Sequence, residues 1–456
     1  MRKPPTAGTL GELLTVAWPL MISTGSASLQ FLIDRIFLTW YSTDAVAAAF
    51  SAGIIHWTLV SVFFGAASYV NVFVSQYVGA GEDARVGAAL WQGVYFSLAA
   101  GLVIALCAPL APTVFAWVGH DESIRHEQIE FFSILCLGSF PLLLSATLAC
   151  YFTGRGRTRV VMVVNVCATL VTVALDYLLI FGKGGFPPLG VRGAALATVA
   201  SYCASAGLYA IALACSSAAR RHGVWTGWRW DSELLVRLLR FGLPNGAQFF
   251  VDVICFTVFI QLVGGISPVA LKATALAFNL NTLTFMPLLG LGTAVMTLTG
   301  QRIGEGRPDL AARTTWFALG VGEAVVLCFG LLYVLAPDAI LQFYAWGARE
   351  GAMDDVAPSV KQLLLFVAAY SLFDAMALLF GSATRGAGDT RFAVLFTLSS
   401  GVLCLVLPTW ALMTAGGGLI AAWLAVTLFV CVLGIGFLLR FLQGKWKTMR
   451  VIEAVD

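Results

Sequence analysis

Residues 370–392 read YSLFDAMALLFGSATRGAGDTRF, an apolar helical run that carries one acid, Asp374, and ends in a basic, glycine-rich turn. A carboxylate at the centre of a bilayer costs about 2.5 to 3.5 kcal/mol on insertion scales, so such residues are rare and usually face a cavity or a partner. Of the 456 residues, 59% are hydrophobic and only 11% are charged, whereas soluble proteins carry about 25% charged residues. The composition therefore predicts an integral membrane protein.

Charge, glycine and proline divide the chain into twelve apolar stretches, each long enough to cross a bilayer, which takes about 20 residues. The predicted spans are 13–40, 45–77, 88–117, 130–153, 160–182, 191–215, 238–263, 270–300, 312–345, 360–384, 391–414 and 417–442. The predicted fold is an all-α integral membrane protein with twelve transmembrane helices. No cleavable signal peptide is predicted at the amino terminus.

The basic residues predict the orientation, because cytoplasmic loops are enriched in Lys and Arg. With both termini in the cytoplasm, only six of the 27 basic residues lie on the outer side, and one lies within a span. The six outer residues are Arg125, Lys183, Arg192, Lys272, Arg349 and Lys361, and the residue within a span is Arg35.

The chain also repeats itself. SQYVGAGEDAR (75–85) matches GQRIGEGRPDL (300–310) at an offset of 225, and GRGRTR (154–159) matches GAGDTR (386–391) at an offset of 232. Each half contains six spans, an even number, so both halves begin on the same side of the membrane and form a parallel repeat. Many secondary transporters are built from such repeats. The predicted divisions are an amino-terminal bundle (1–217), a cytoplasmic linker (218–236), a carboxy-terminal bundle (237–444) and a cytoplasmic tail (445–456).

Two acids of the amino-terminal half are predicted at one depth. Asp34 and Asp176 each lie about seven residues before the outer end of their span, and Thr198 lies about as far after the outer start of its span, or roughly 10 Å deep. Hard oxygen ligands suit Na⁺ or a proton better than a transition metal, and neighbouring carboxylates readily share a proton. We expect these three residues, together with Asp374 of the tenth span, to bind a coupling ion. The alternative is that Asp34 only forms an ion pair that offsets its burial.

Asp252 and Asp374 lie near the middle of the seventh and tenth spans. Negative groups facing a cavity would attract an organic cation, and aromatic rings would add about 0.5 to 2 kcal/mol each of cation–π attraction. The further residues expected to line this cavity are Phe249, Phe250, Gln248 and Asn279. The alternative for the two acids, and for the two amides, is hydrogen bonding between helices.

Other function classes find no support in the sequence. It contains no G-x-x-x-x-G-K-[ST], H-E-x-x-H or G-x-S-x-G pattern, so no enzyme activity and no cofactor are predicted. A net charge of +3 is too small to indicate a nucleic-acid partner, and the ten cysteines stand singly within apolar segments. The expected partners are the lipid bilayer and small organic cations.

Three segments resemble signatures of the multidrug and toxic compound extrusion (MATE) transporters of bacteria. They are DYLLIFGKGGFPPLGVRGAALAT (176–198), FNLNTLTFMPLLGLGTAVMTLTGQRIGEGR (278–307) and SATRGAGDTR (382–391). The resemblance covers the whole chain. It implies two bundles of six helices in a V shape around a central cavity, a monomeric protein of the cell inner membrane, and export of organic cations in exchange for H⁺ or Na⁺.

The resemblance also implies residue roles. Asp34, Asp176 and Thr198 match the family's ion-site positions, Asp252 matches a position that is Glu in one branch, and Asp374 matches the acid before the R-G-A-G-D-T turn. Two departures stand out: Thr172 replaces an Asn that many members have, which weakens the case for Na⁺, and Arg35 directly follows the first acid.

Two other readings stay open at this stage. A flippase for a lipid-linked precursor would share a paired-bundle layout, but it would need a cationic cavity for a pyrophosphate. The charged residues well inside the predicted spans are instead five acids (Asp34, Asp176, Asp252, Glu323 and Asp374) and one Arg. A receptor or scaffold would explain the repeat but not the acids.

Overall fold

The computed structural model describes residues 6–118, 122–345 and 355–453, and within these ranges the chain is helical, with no β-strand. The first nine α-helices are α1 (Leu10–Tyr41), α2 (Thr43–Ser68), α3 (Val70–Ala80), α4 (Asp83–Ala105), α5 (Ala111–Val118), α6 (Glu122–Leu137), α7 (Ser139–Gly154), α8 (Thr158–Phe181) and α9 (Val191–Ala214). The other nine are α10 (Ser217–Arg221), α11 (Ser232–Gly264), α12 (Pro268–Gly304), α13 (Pro308–Leu335), α14 (Pro337–Ala345), α15 (Ala357–Ala387), α16 (Thr390–Ser400), α17 (Leu407–Thr414) and α18 (Leu419–Leu442). Both chain ends and Arg349, on which the predicted orientation partly rests, lie outside the described ranges.

The twelve predicted spans are confirmed. Among the described residues, eleven helical runs are long and apolar enough to cross a membrane, and the bent pair Ile124–Leu137 and Ser139–Gly154 makes a twelfth. Several spans contain breaks that were not predicted: α2 is followed directly by α3, and a π-helical turn at Gly401–Val406 separates α16 from α17. The surface of the helices is apolar, with Leu106 67% exposed and Leu170 63% exposed, as expected for side chains that face lipid.

The fourth span bends by 44° between α6 and α7. Pro141 lies in the first turn of α7 and has no N–H to donate to the carbonyl of Leu137, so the helical hydrogen-bond ladder is interrupted there. Gly138, at the break, allows α9 to come close, because an added Cβ would lie 2.2 Å from Cγ2 of Val199. The bend therefore follows from one missing donor and one close contact.

The chain forms two compact units. The first unit comprises Val251–Thr299, Arg307–Met449 and the start of α1 up to Ala17. The second unit comprises Trp18–Phe250, Gly300–Gly306 and the last described residues from Arg450.

An aromatic cluster lies in the core of the first unit. The buried Trp423 ring stacks on Phe278, with 5.1 Å between the ring centroids, and its indole Nε1 donates a hydrogen bond to Oγ1 of Thr274 at 3.1 Å. In the second unit, Phe115 and Phe132 pack edge to face at 5.7 Å. Each unit thus has an apolar core of its own, and the one polar atom of these four rings, Nε1 of Trp423, has a hydrogen-bond partner.

The repeated glycine motifs have equivalent surroundings in the two units. Gly154, at the end of α7, lies so close to α3 that an added Cβ would be 3.0 Å from the carbonyl oxygen of Asn71. Its counterpart Gly386, near the end of α15, lies even closer to α12, where an added Cβ would be 2.5 Å from the carbonyl oxygen of Met296. Met296 and Asn71 are offset by 225 positions, as in the sequence repeat. The repeat therefore preserves a helix crossing that requires glycine.

Two glycines on α9 lead to a matched stability prediction. Gly193 packs against α8, and an added Cβ would lie 2.7 to 2.9 Å from backbone atoms of Leu179 and Ile180. Gly193→Ala is therefore expected to destabilise the protein by about 1 to 3 kcal/mol through overpacking. Thermal unfolding of the purified protein in detergent should show a lower midpoint.

Gly207→Ala is the control on the same helix, because no heavy atom lies within 4 Å of its added Cβ. Alanine is a better helix former than glycine by about 0.5 to 1 kcal/mol, so this variant should melt at or slightly above the wild-type temperature. Equal midpoints for Gly193→Ala and wild type would show that α8 and α9 are not as tightly packed as described.

The carboxy-terminal tail folds back onto the second unit. The Glu453 carboxylate accepts hydrogen bonds from the Tyr77 hydroxyl and from Arg85, both at 2.7 Å, and lies 2.9 Å from the guanidinium of Arg237. The backbone N–H of Val451 donates to Oε1 of Gln76 at 3.0 Å. Burial raises the pKa of Glu453, but the hydrogen bonds from Tyr77 and Arg85 outweigh it and hold the pKa below its usual value.

Acid should release this tail. A carboxyl group with a lowered pKa stabilises the docked tail fully at pH values above the usual Glu pKa of about 4.3. That stabilisation is lost as the pH falls through the lowered pKa. We expect the amides of Val451 and Ile452 to be protected from hydrogen exchange at neutral pH and to lose protection in acid, after correction for intrinsic rates. Glu453→Gln should lose it already at neutral pH. Full protection in this variant would contradict the ionic account of tail docking.

Candidate functional site

Two carboxylates of the second unit, one on α1 and one on α8, form the first candidate site. Asp176, on α8, is fully buried, and neither of its carboxylate oxygens has a hydrogen-bond partner among the described residues. Asp34, on α1, is half-buried, and its Oδ1 also has no hydrogen-bond partner in the described part of the chain. The two carboxylates lie within electrostatic range of each other. A buried, unsatisfied carboxylate is costly, so this pair favours a bound cation or a shared proton.

Two side chains lie within electrostatic range of Asp34, and the predicted ligand Thr198 lies on a helix that packs against α8. Arg35 lies within electrostatic range of Asp34 and places its guanidinium over the Phe50 ring, 5.0 Å from the centroid. Tyr202, on α9, also lies within electrostatic range of Asp34. Thr198 is half-buried on the same helix, which packs against α8. The residues of the predicted ion site thus lie on α1, α8 and α9.

Thr172, at the position where the resembling family often has Asn, does not point its hydrogen at the carboxylates. Its hydroxyl donates to the carbonyl oxygen of Ala168 in its own helix, at 3.0 Å. Thr172 is buried, one turn before Asp176. The described hydrogen bonds thus leave the oxygens of Asp176 free to take a cation.

A second group of charges lies in the first unit. Asp252, on α11, interacts electrostatically with both Asp374 and Arg385 of α15. Asp374 and Arg385 are eleven residues apart, which is three helical turns and places them on one face. The Arg385 guanidinium donates to the carbonyl oxygen of Gly381 and to Oγ of Ser382, both at 3.2 Å. It therefore extends back along α15, in the direction of Asp374. The group consists of two acids and one base.

Two tyrosines lie in this part of the first unit, one of them within electrostatic range of Asp374 and the other within range of the first tyrosine. Tyr370 is buried one turn before Asp374 and lies within electrostatic range of it. Tyr333 donates to the carbonyl oxygen of Leu280 at 2.8 Å and is hydrogen-bonded to Thr284 at 2.9 Å. Glu323, the fifth acid within a span, lies on α13 in the same unit, and its buried Oε2 has no hydrogen-bond partner among the described residues.

The remaining predicted cavity residues lie in different units. Gln248, Phe249 and Phe250 belong to the second unit, where Gln248 is buried and the two rings are half-buried. Phe249, on α11, lies where this helix crosses α2: a Cβ added at Gly65 of α2 would be 2.9 Å from Cδ2 of Phe249. Asn279 belongs to the first unit, and its amide donates to the carbonyl oxygen of Ala275 at 2.8 Å.

Sequence reasoning missed two members of these groups. Arg385 was assigned to the glycine-rich turn, but α15 continues to Ala387, and Gly388, with a φ of 117°, ends it. Its spacing of three turns from Asp374 was the available signal. Tyr202 gave no signal, because its proximity to Asp34 depends on how α9 is rotated.

The fold and the sites define a class of protein. A duplicated set of membrane-spanning helices with carboxylates buried at membrane depth is typical of secondary transporters, in which such residues mark ion or substrate pathways. The sequence pattern of the MatE family matches residues 19–178 and 244–410. The chain belongs to this family, whose members are transporters and not enzymes.

Curated relatives match over nearly the whole chain. The probable multidrug resistance protein NorM of Thermotoga maritima is 25% identical over 450 residues, which cover 97% of this chain and 94% of the relative. The multidrug resistance protein PmpM of Pseudomonas aeruginosa is 28% identical over 404 residues, which cover 85% of this chain and 81% of that one.

Solved structures share the fold. The eukaryotic MATE transporter AtDTX14 superposes with a TM-score of 0.85 at 18% identity, covering 96% of both chains. An outward-facing multidrug resistance MATE family transporter of the MOP superfamily gives a TM-score of 0.87 at 18% identity, covering 98% of this chain and 100% of that one. The predicted resemblance to the MATE transporters is thus confirmed.

Proposed function

We propose that this transporter exports organic cations in exchange for H⁺ or Na⁺ by alternating access. The observation that carries the proposal is the complete burial of Asp176, with both carboxylate oxygens unpartnered among the described residues and Asp34 within electrostatic range. An uncompensated charge at this depth is costly to keep. A cation that binds there and leaves in each cycle would turn this cost into a driving force.

Asp34 and Asp176 form the proposed ion site. A proton can be held by two neighbouring carboxylates without further ligands. Na⁺ would need additional oxygens, and we propose Thr198 on α9 as one source of them. The described residues contain no group of three His, Cys, Asp or Glu side chains that could hold a metal ion. This makes a proton the simpler coupling ion.

Asp252 and Asp374 form the proposed substrate site. With Arg385, the group carries two negative charges and one positive charge, so its formal net charge is negative when both acids are ionised. Such a group favours an organic cation and disfavours the pyrophosphate of a lipid-linked precursor. Asn279, which belongs to the same unit, is proposed to contribute to this substrate site. The roles of Phe249, Phe250 and Gln248 stay predictions.

Exchange requires that ion and substrate prefer different states of the protein. A ligand that binds both states equally shifts neither, however tightly it binds. We propose that the substrate binds the inward-open state with Asp252 and Asp374 ionised, and that the coupling ion favours the outward-open state. The chain would lie in the inner membrane with both termini in the cytoplasm, in agreement with its basic residues.

Everted membrane vesicles test this function. A fluorescent organic cation should accumulate in vesicles that contain the protein when an ion gradient is imposed, and an ionophore should abolish the accumulation. A neutral fluorophore of the same ring system should not accumulate. Movement of a lipid-linked precursor without any ion gradient, in the absence of cation transport, would instead favour the flippase.

A further inference from the structure

A line of polar side chains runs through the second unit from the carboxylate pair toward the ends at which α1 and α8 begin. We call it the polar seam; its members are Ser23 and Gln30 of α1, Asn165, Thr169 and Thr172 of α8, and Tyr209 of α9. Ser23, Thr169, Thr172 and Tyr209 are all less than 10% exposed. Polar groups are costly to bury in a membrane protein, so a continuous line of them requires an explanation.

The end of the seam farthest from the carboxylates is a three-way contact. The amide nitrogen of Asn165 donates to Oγ of Ser23 at 2.6 Å. The Tyr209 hydroxyl donates to Oδ1 of Asn165 at 2.9 Å. One side chain thus joins α1, α8 and α9. Asn165 lies seven residues after the start of α8, which is about 10 Å from that end of the helix.

Two further levels connect this contact to the acids. Oγ1 of Thr169 donates to Oε1 of Gln30 at 3.5 Å, one turn along α8 from Asn165. Thr172 and Ser201 both donate to the carbonyl oxygen of Ala168 at 3.0 Å. Asp176 follows one turn after Thr172. Polar groups therefore recur about every 5 to 6 Å along α8.

The seam also keeps the same register on two helices. Ser23 and Asp34 are eleven residues apart on α1, as Asn165 and Asp176 are on α8. Helices α1 and α8 thus face each other at both ends of the seam. These two ends are about 16 Å apart along the helix axes. One water molecule can bridge polar groups separated by 5 to 6 Å. The levels are spaced for such bridges.

A single buried hydrogen bond between helices needs no transport role. Ser97 and Thr147 form one at 2.8 Å between α4 and α7, in the same unit, and such bonds are common between membrane helices. The seam differs in its continuity and in its end point. It leads to carboxylate oxygens that have no hydrogen-bond partner among the described residues.

We infer that the polar seam conducts protons between the Asp34–Asp176 pair and the side of the membrane at which α1 begins. A proton that leaves the carboxyl pair passes over bridging waters and the hydroxyl groups of the seam and is released to the solvent on that side. Asn165 and Thr169 position these waters. The inference rests on the proposed exchange function, and it assigns the proton its own path within the second unit.

Proteoliposomes with an enclosed pH-sensitive dye test the inference. Addition of an organic cation should drive proton movement in wild type, and Asn165→Leu should slow it at least tenfold while leaving the dissociation constant for the cation within twofold. Thr169→Val, which keeps the side-chain shape, should slow it severalfold without lowering the unfolding temperature. Asn165→Ser, which restores a polar group, should recover part of the rate.

Thr147→Val is the matched control, because it removes an equally buried hydroxyl from the same unit outside the seam. Wild-type proton rates in folded Asn165→Leu and Thr169→Val, with Asp176→Asn inactive, would overturn the seam and leave the exchange function intact. If Thr147→Val and Thr169→Val slowed proton movement equally, the seam residues would have only a packing role and the inference would be wrong. No proton movement in wild type would overturn both the seam and proton exchange.

Discussion

Asp176→Asn is expected to abolish ion-coupled export. Asparagine keeps the shape of the side chain but can neither carry the negative charge nor release a proton at this fully buried position. Without a carboxylate, the coupling ion no longer distinguishes the two states of the transporter, so gradient-driven export should fall by at least about tenfold. The protein should still fold, because the substitution removes a buried charge whose solvation is costly.

Gradient-driven accumulation of a fluorescent cation in vesicles, normalised to the amount of inserted protein, measures this effect. Asp44→Asn is the control, because Asp44 lies exposed in the first turn of α2, in the same unit. The control should export at the wild-type rate. Wild-type export by Asp176→Asn at equal abundance would remove Asp176 from the ion site.

Asp374→Asn is expected to weaken the binding of organic cations. Removal of one partner from a buried charge pair costs about 2 to 5 kcal/mol, so the dissociation constant should rise by about 30-fold or more. Arg385 would then face Asp252 as the only remaining acid of its group. The group of Asp252, Asp374 and Arg385 would lose its net negative charge, and a neutral compound of the same shape should bind as before.

Fluorescence anisotropy with the purified protein in detergent separates these contributions. Asp309→Asn is the control in the same unit, since Asp309 is 88% exposed and pairs with Lys447 at 3.0 Å. It should bind the cation with wild-type affinity. An unchanged dissociation constant for Asp374→Asn would place the substrate elsewhere.

The fold followed from the sequence because bilayer thickness and composition leave few alternatives. Twelve apolar stretches, counted by length, correspond to the observed spans. The breaks within the spans could not be predicted, because they also depend on contacts between helices that are distant in the sequence. The bend at Gly138, for example, combines the missing donor of Pro141 with the approach of Val199, and only the second requires the tertiary structure.

The site was partly accessible from the sequence. Counting residues from the outer helix ends placed Asp34 and Asp176 at one depth, and in the structure the two carboxylates interact. Depth counting says nothing about rotation around a helix axis. The contact between Asn165 and Ser23, and the approach of Arg385 to Asp252, depend on that rotation and could not be predicted.

The most direct test of the exchange function uses proteoliposomes with the purified protein and a fluorescent organic cation. A pH gradient and a Na⁺ gradient are imposed separately, each with the membrane potential clamped. We predict uphill movement of the cation under one gradient and not under the other, with counterflow of that ion. The carboxylate oxygens of Asp34 and Asp176 that have no hydrogen-bond partner among the described residues favour H⁺. No gradient-driven movement by folded, inserted protein would contradict the account.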